Sequence, residues 1–302
     1  MMLEDAIAKA CSDVGITPPK QRRFGKWLQT DTLSGRNGKG DGRVIINETA
    51  VTAWNWQTGE KVTVGLNGEQ STVQREKIAR DVKREQERKR EQSAKAMRIA
   101  GELVRAAKPS THAYLDRKGF PDERALVIDA DCVRSIAGDY LAPEGAKHAI
   151  VIPARSGVLV KSVQLIWEDG TKKFLFGGEI SGTSHRIASG AETWLCEGYA
   201  TGLSLRAALK GLKRSVTVLC CFSASNLCLV AKSIKGRTFI AADNDKPLPQ
   251  FGGIGAGEHY AVHSGKPYIM PPVIGFDIND MHCRDGIYAV QKVILDLLRA
   301  AR

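Results

Sequence analysis

No Cys-x-x-Cys pair occurs in this chain of 302 residues, and its seven cysteines, Cys11, Cys132, Cys196, Cys220, Cys221, Cys228 and Cys283, are scattered and odd in number. A disulfide-framework miniprotein is excluded, and so is the ligand spacing of a zinc ribbon; no zinc is expected. Thiols lodged in apolar segments read instead as buried groups in a reducing cytosol. No apolar run approaches the ~18 to 20 residues that cross a bilayer, so no membrane partner is expected. At the N-terminus Glu4 and Asp5 stand where an export signal needs basic residues, which predicts a cytoplasmic protein. A Gly-x-x-x-x-Gly-Lys-Ser/Thr phosphate loop is missing too, and the Gly-rich stretch 251–257 lacks the lysine. The chain therefore should not unwind duplexes by itself.

What is present is positive charge. Forty-four Lys and Arg against 33 Asp and Glu leave +11, an excess that favours a polyanionic partner. The excess is concentrated over residues 75–108, where twelve basic residues face six acidic ones. An apolar share of 43% is ordinary for a folded globular protein, and the length suffices for about two domains.

Residues 2–14 have helical apolar spacing and end at Gly15 and the Pro18/Pro19 pair. Short β-branched runs follow between residues 24 and 66, divided by turns at 35–42, at Asn47/Glu48 and at Thr58/Gly59, and predict a small antiparallel sheet bearing Trp27, Trp54 and Trp56. Trp54 and Trp56, two apart in a strand, share a face; packing in the small core is favoured over base stacking. A run without Gly or Pro then predicts a charged helix over 72–107, solvated at first and apolar-faced from Ala96 onward. From Ala149 strands and helices alternate, which argues for a parallel sheet covered on both faces. The domains expected are 1–70 (helix and β module), 71–108 (charged helix), 109–190 (basic β lobe) and 191–302 (α/β domain).

Carboxylates fall at the carboxyl ends of three predicted strands, where open α/β sheets place ligands. They are Glu197 after WLC, Asp243 with Asp245 after FIAA, and Asp277 with Asp280 in FDIND. Two carboxylates one residue apart on extended backbone point to the same side and need a counter-ion. Hard oxygen donors so arranged suit Mg²⁺ or Mn²⁺. Gly198 and Gly202 allow close backbone approach at the start of a helix whose N-terminus attracts phosphate.

WLCEGYATGLSLRAAL, FIAADND and GFDINDMH together resemble the Toprim domain of phage and plasmid DNA primases. The stretches SVQLIWEDGTKKFLFGG, THAYLDRKGF and AWNWQTGE are similar to segments upstream of that domain in these proteins, so the resemblance covers most of the chain. It implies an α/β, Rossmann-like Toprim sheet with helices on both faces, preceded by a β-hairpin lobe, a strand-rich N-terminal module and the long charged helix. It also implies a primase that joins ribonucleoside triphosphates into short RNA primers on a single-stranded DNA template by two-metal nucleotidyl transfer. In that scheme Glu197 is the acid/base or metal-bridging carboxylate, Asp243 and Asp245 are metal ligands, and Asp277 and Asp280 complete the acidic site. Arg155, Lys161, Lys172 and Lys173, with Gly198, Thr201 and Gly202, would hold template or nucleotide. A replicative helicase in trans or in a downstream domain, in a bacterial or phage-infected cytoplasm, would supply exposed template.

Two alternatives remain open. One is a Toprim nuclease or nickase, the other a non-catalytic single-strand-binding accessory protein. Arg117 and Lys118 are further candidates for nucleic-acid contact. His259 and His263 have the i, i+4 spacing of a helical metal site but no evident third ligand.

Overall fold

The computed structural model describes residues 1–33, 40–66 and 72–300, with backbone alone over 72–79. Most of the turn expected at 35–42, and the side chains of Val73 and Ile78, lie outside the described residues. The chain divides into two compact units, Met1–Glu91 with Pro247–Gly253 and Gln92–Lys246 with Ile254–Arg302.

In the first unit α1 (Leu3–Asp13) precedes a meander of β1 (Trp27–Thr30), β2 (Gly42–Ile46), β3 (Ala50–Asn55) and β4 (Lys61–Gly65), paired antiparallel in that order. Strand alternation sends Leu28, Val44, Ile46, Val51, Ala53 and Val64 to one face, where Ala6, Ile7, Ala10 and Cys11 of α1 cover them. Asn55 closes this core by donating Nδ2 to the Val14 carbonyl at 2.8 Å. The buried core is thus aliphatic apart from Cys11, with Phe24 packed at its margin. Trp54 and Trp56 do not belong to it, which corrects the expectation that they pack inside: α1 supplies the apolar cover, and the two tryptophans share the other face with Trp27.

The charged helix, α2, spans Thr72–Ala106, one residue short of the expected end. Its later turns bury Ala96, Ala100 and Leu103 in the second unit. There β5 (Lys108–Ser110), α3 (Ala113–Arg117), β6 (Ala125–Asp129), α4 (Ala130–Ala137), β7 (His148–Ser156), β8 (Leu159–Trp167) and β9 (Lys172–Phe174) follow. The five strands form one antiparallel sheet in sequence order, so the expected hairpin, β8 with β9, is one edge of a larger sheet. Its two faces part company residue by residue. Ala149, Val151, Val163, Leu165 and Trp167 meet α2 and α4, whereas Ile150, Ile152 and Ile166 join the core of the next layer.

That layer is built from β10 (His185–Ala188), β11 (Glu192–Cys196), α5 (Tyr199–Gly211), β12 (Val216–Cys220), α6 (Ala224–Ser233), β13 (Thr238–Ala241), α7 (Ala256–Ser264), β14 (Tyr268–Ile269), α8 (Ile278–Asp285) and α9 (Ile287–Ala300). The strand order is β10-β12-β11-β13-β14, parallel except for β10 at one edge. α5, α8 and α9 share a core on one face, and residues of α6 and α7 share another with Leu195, Leu219 and Ile240. The second unit is therefore α/β, with an antiparallel and a mixed sheet and flanking helices. Burial on both faces explains the unbroken apolar runs of β11, β12 and β13.

Asn226, buried in α6, donates Nδ2 to the carbonyls of Thr183 and Cys221 at 2.9 and 2.7 Å and accepts from the Gly182 amide at 2.7 Å. It ties the loop before β10 to the loop after β12. Asn226→Ala leaves two buried backbone carbonyls and one part-buried amide without this partner and should cost about 2 to 3 kcal/mol. Urea denaturation should show a lower midpoint at unchanged slope.

Candidate active site

Glu197 is the residue after β11. The Cys221 amide donates to the Cys196 carbonyl at 2.8 Å and the Phe222 amide to that of Glu197 at 2.9 Å, so the β11–β12 pairing continues past both strand ends. Phe222 reaches this position only in a left-handed conformation, φ +71°. On the other side the Ala242 amide donates to the Ile269 carbonyl at 2.9 Å and carries β13 forward to Asp243. Asn244 locks the following loop, donating its amide to the Phe276 carbonyl at 2.9 Å and Nδ2 to that of Pro271 at 2.8 Å. Asp245 accepts from the Gly257 amide at 2.8 Å in the first turn of α7, where the helix dipole favours an anion. A side chain at Gly257 would meet the Asp243 carbonyl oxygen at 2.2 Å, so this approach requires glycine.

Asp277 and Asp280 are engaged at the start of α8. Asp277 accepts from the Asp280 amide at 2.8 Å and Asp280 from the Asp277 amide at 3.2 Å, a reciprocal capping box. Asp280 also pairs with Lys118 at 3.2 Å. Lys118 thus anchors the motif after β5 to α8, together with the Asn279 bond to the Lys118 carbonyl at 2.9 Å.

Burial raises the pKa of Glu197, and repulsion from Asp245 and Asp277 raises it further, to about 7; the Ala224 amide and Lys172 oppose part of the shift. Asp243 is pushed up by burial first and then by Glu197, Asp277 and Asp245, against Lys172. Glu197 Oε1 and Asp243 Oδ1 are buried with no hydrogen-bond partner among the described residues. Four carboxylates therefore share one electrostatic environment, and two of them present oxygens that call for a proton, a cation or a donor from outside the chain.

Nearby sulfur does not compete. Cys220 donates Sγ to the Glu197 carbonyl at 3.1 Å and, raised by burial to about 12, stays a thiol. Among the described residues no three His, Cys, Asp or Glu side chains form a ready-made metal cage. Mg²⁺ is commonly held by one or two carboxylates completed by water and phosphate, and the oxygen-only donor set with its orphaned atoms fits such a cation.

The other predicted residues are distributed unevenly. Lys172 is exposed at the start of β9 and acts on both Glu197 and Asp243. Lys161 is paired with Glu179 at 3.5 Å, Lys173 donates to the Tyr140 carbonyl at 2.9 Å, and Arg155, near the end of β7, donates to the Val158 carbonyl at 3.3 Å. Gly198 caps α5. Thr201 is fully buried, and a side chain at Gly202 would lie 2.2 Å from Ile187, so Gly202 admits close packing of α5 on the sheet. Arg117 donates to the Glu168 carbonyl. His259 and His263 stack at 4.1 Å on α7 with no third ligand among the described residues.

Sequence reasoning passed over the Ser204–His282 contact at 3.0 Å and the 3.0 Å bond from Asn279 to Ser204, which join α5 to α8 beneath the site. The clue was available: Ser204 interrupts an apolar helix face four residues before Ala208. His185 was also missed. It is pulled down to about 4 by burial and has a bare Nδ1, on an edge strand whose four residues give little periodicity.

No family model matches the chain. Among solved structures it is similar to one of the bacteriophage T7 lagging-strand DNA polymerase interacting with primase domains of two gp4 subunits bound to an RNA/DNA hybrid and dTTP. The identity is 14%, over 51% of this chain and 78% of that one, with a TM-score of 0.36.

Crowded carboxylates should destabilise the metal-free protein. A carboxyl whose folded value is raised contributes stability below its unfolded value and loses it as pH rises through the folded one, so at pH 8, just short of the value of about 9 for Asp243, most of the cost is expressed. Asp243→Asn should therefore raise the melting temperature in EDTA at pH 8 by roughly 2 to 4 °C per kcal/mol relieved, and much less at pH 4. The same substitution should remove most of the stabilisation that Mg²⁺ gives the unmodified chain. Scanning calorimetry with and without Mg²⁺ measures both effects.

Proposed function

We propose that this chain is a primase-type nucleotidyl transferase of the Toprim class, making RNA primers on single-stranded DNA. The observation that carries this is the meeting of Glu197, Asp243, Asp245 and Asp277 in one electrostatic environment, with buried oxygens of Glu197 and Asp243 left without donors. The motif resemblance of those same segments to phage and plasmid primases supports it.

Mg²⁺ or Mn²⁺, held by Glu197, Asp243 and Asp245 with Asp277 and Asp280 as the remaining carboxylates, would supply Lewis-acid stabilisation of the charge developing on the transferred phosphorus and the pyrophosphate. The chain's own residues do the rest. Glu197, its pKa raised toward neutrality by burial, is suited to take the proton from an attacking 3′-hydroxyl at a carboxylate oxygen. Lys172, exposed and acting on the same carboxylates, would draw in the triphosphate and offset its charge. Gly198 at the head of α5 lets phosphate approach the helix amides. A chain with no phosphate loop would work in the cytoplasm where a strand is already open, or beside a helicase.

The decisive assay incubates the protein with single-stranded DNA, labelled ribonucleotides and Mg²⁺ or Mn²⁺. Labelled oligoribonucleotides are expected; a cut template would reassign the site to a nuclease, and no product at all would remove both activities. Glu197→Gln and Asp243→Asn should each lower synthesis by about 10² or more with the fold retained by circular dichroism. Lys172→Ala should act mainly on KM for the nucleotide, and an unchanged KM would take Lys172 out of nucleotide binding.

A further inference from the structure

The outward face of the four-stranded sheet in the first unit has no role in the chemistry above. It carries the three tryptophans that the aliphatic core excludes. Trp27 and Trp56 keep 40% and 44% of their surface exposed, whereas Trp167 and Trp194, in the second unit, are fully buried. The three rings form a continuous row. Trp27 and Trp54 meet edge to face at 6.2 Å, and Trp54 and Trp56 are tilted at 5.1 Å.

Cations are set into this row. Register places Arg43 opposite Trp54 and Trp54 opposite Lys61. The Lys61 ammonium stands 5.8 and 5.7 Å from the rings of Trp27 and Trp54, and the Arg43 guanidinium 5.1 Å from that of Trp56. Such contacts hold aromatic planes and positive charges in fixed relation. The rest of the face is lightly polar, with Thr52 and Thr63 hydrogen-bonded across the strands at 2.9 Å, and no carboxylate stands among the outward residues of the four strands.

A duplex hides its base faces, whereas a single strand offers them. Partly exposed aromatic planes interleaved with cations, with no carboxylate among the strands' outward residues, match flat bases strung on phosphates. We infer that this sheet face is a base-stacking platform for single-stranded nucleic acid. It rests on the first unit alone and not on the carboxylate site, and binding to it needs neither metal nor nucleotide.

The test uses the intact chain in EDTA, titrated with a short oligothymidylate, an oligouridylate and a DNA duplex while tryptophan emission is followed. Since the remaining two tryptophans are fully buried, quenching reports on this face. Saturable quenching by single strands with weak competition from duplex is expected; unchanged emission at saturating single strand, or equal competition by duplex, overturns the inference. The two oligonucleotide arms decide between DNA and RNA as the bound strand. Trp27→Ala and Trp56→Ala should each weaken binding about ten-fold, with phenylalanine at either place restoring most of it. Replacing Arg43 and Lys61 by Gln should flatten the salt dependence by about 0.7 for each phosphate no longer neutralised. Full affinity in the double alanine variant, folded by circular dichroism, would place the strand elsewhere and refute the assignment. Should the alanine variants fail to fold, the emission titration of the unmodified chain decides alone.

Discussion

Mutual repulsion among buried carboxylates is the constraint around which the second unit is arranged. Glu197 and Asp243 sit at the ends of β11 and β13, neighbours in the sheet whose last paired residues are Cys196 and Ala241. Parallel pairing therefore delivers both acids to one end, and burial then amplifies the repulsion they would feel in water. An unsatisfied buried oxygen costs on the order of 1 to 3 kcal/mol, and the sheet beneath must bear it. The stacked pair Trp194 and Phe239, at 4.9 Å on the same two strands, belongs to the apolar core that does so.

Much of the surrounding polar structure fixes where the acids stand. Asn244 ties the Asp243 loop to residues 271–276, the capping box orients Asp277, and Lys118 holds Asp280 against the motif after β5. Beneath them Ser204, Asn279 and His282 link α5 to α8. Lys172 is different in kind. Remaining exposed, it lowers the repulsion at Glu197 and Asp243 without being enclosed among the acids.

Several of these features were legible in the sequence because they follow from short-range rules. Strand-ending acids after apolar runs placed Glu197 and Asp243, and the composition of 72–107 gave α2 almost to its end. Other features depended on what covers a surface. The small sheet was expected to use its tryptophans as core, but periodicity reports only that residues share a face, and α1 decided which face is inside. Segment 119–148, with strands and a helix of five to eight residues, offered too few periods to read, so β6 and α4 went unassigned. The three-residue spacing of Asp277 and Asp280 matches both a capping box and an acidic ligand pair, and only the geometry of α8 reveals the cap.

The carboxylate site and the tryptophan face are both places where the chain leaves its own interactions incomplete. At the carboxylates, oxygens are taken from water without receiving donors, which favours whatever brings positive charge. On the first unit's sheet, aromatic planes that would gain by burial are kept outside a core already filled by Ala, Val, Ile and Leu, each ring next to a cation. Burial of a tryptophan is among the larger apolar gains available to a small fold, so a sheet that forgoes it in a row of three holds that free energy in reserve for a ligand. Because the two deficits are of opposite character, one anionic and hard, the other cationic and flat, a cation cannot satisfy the sheet face and a bare base cannot satisfy the carboxylates.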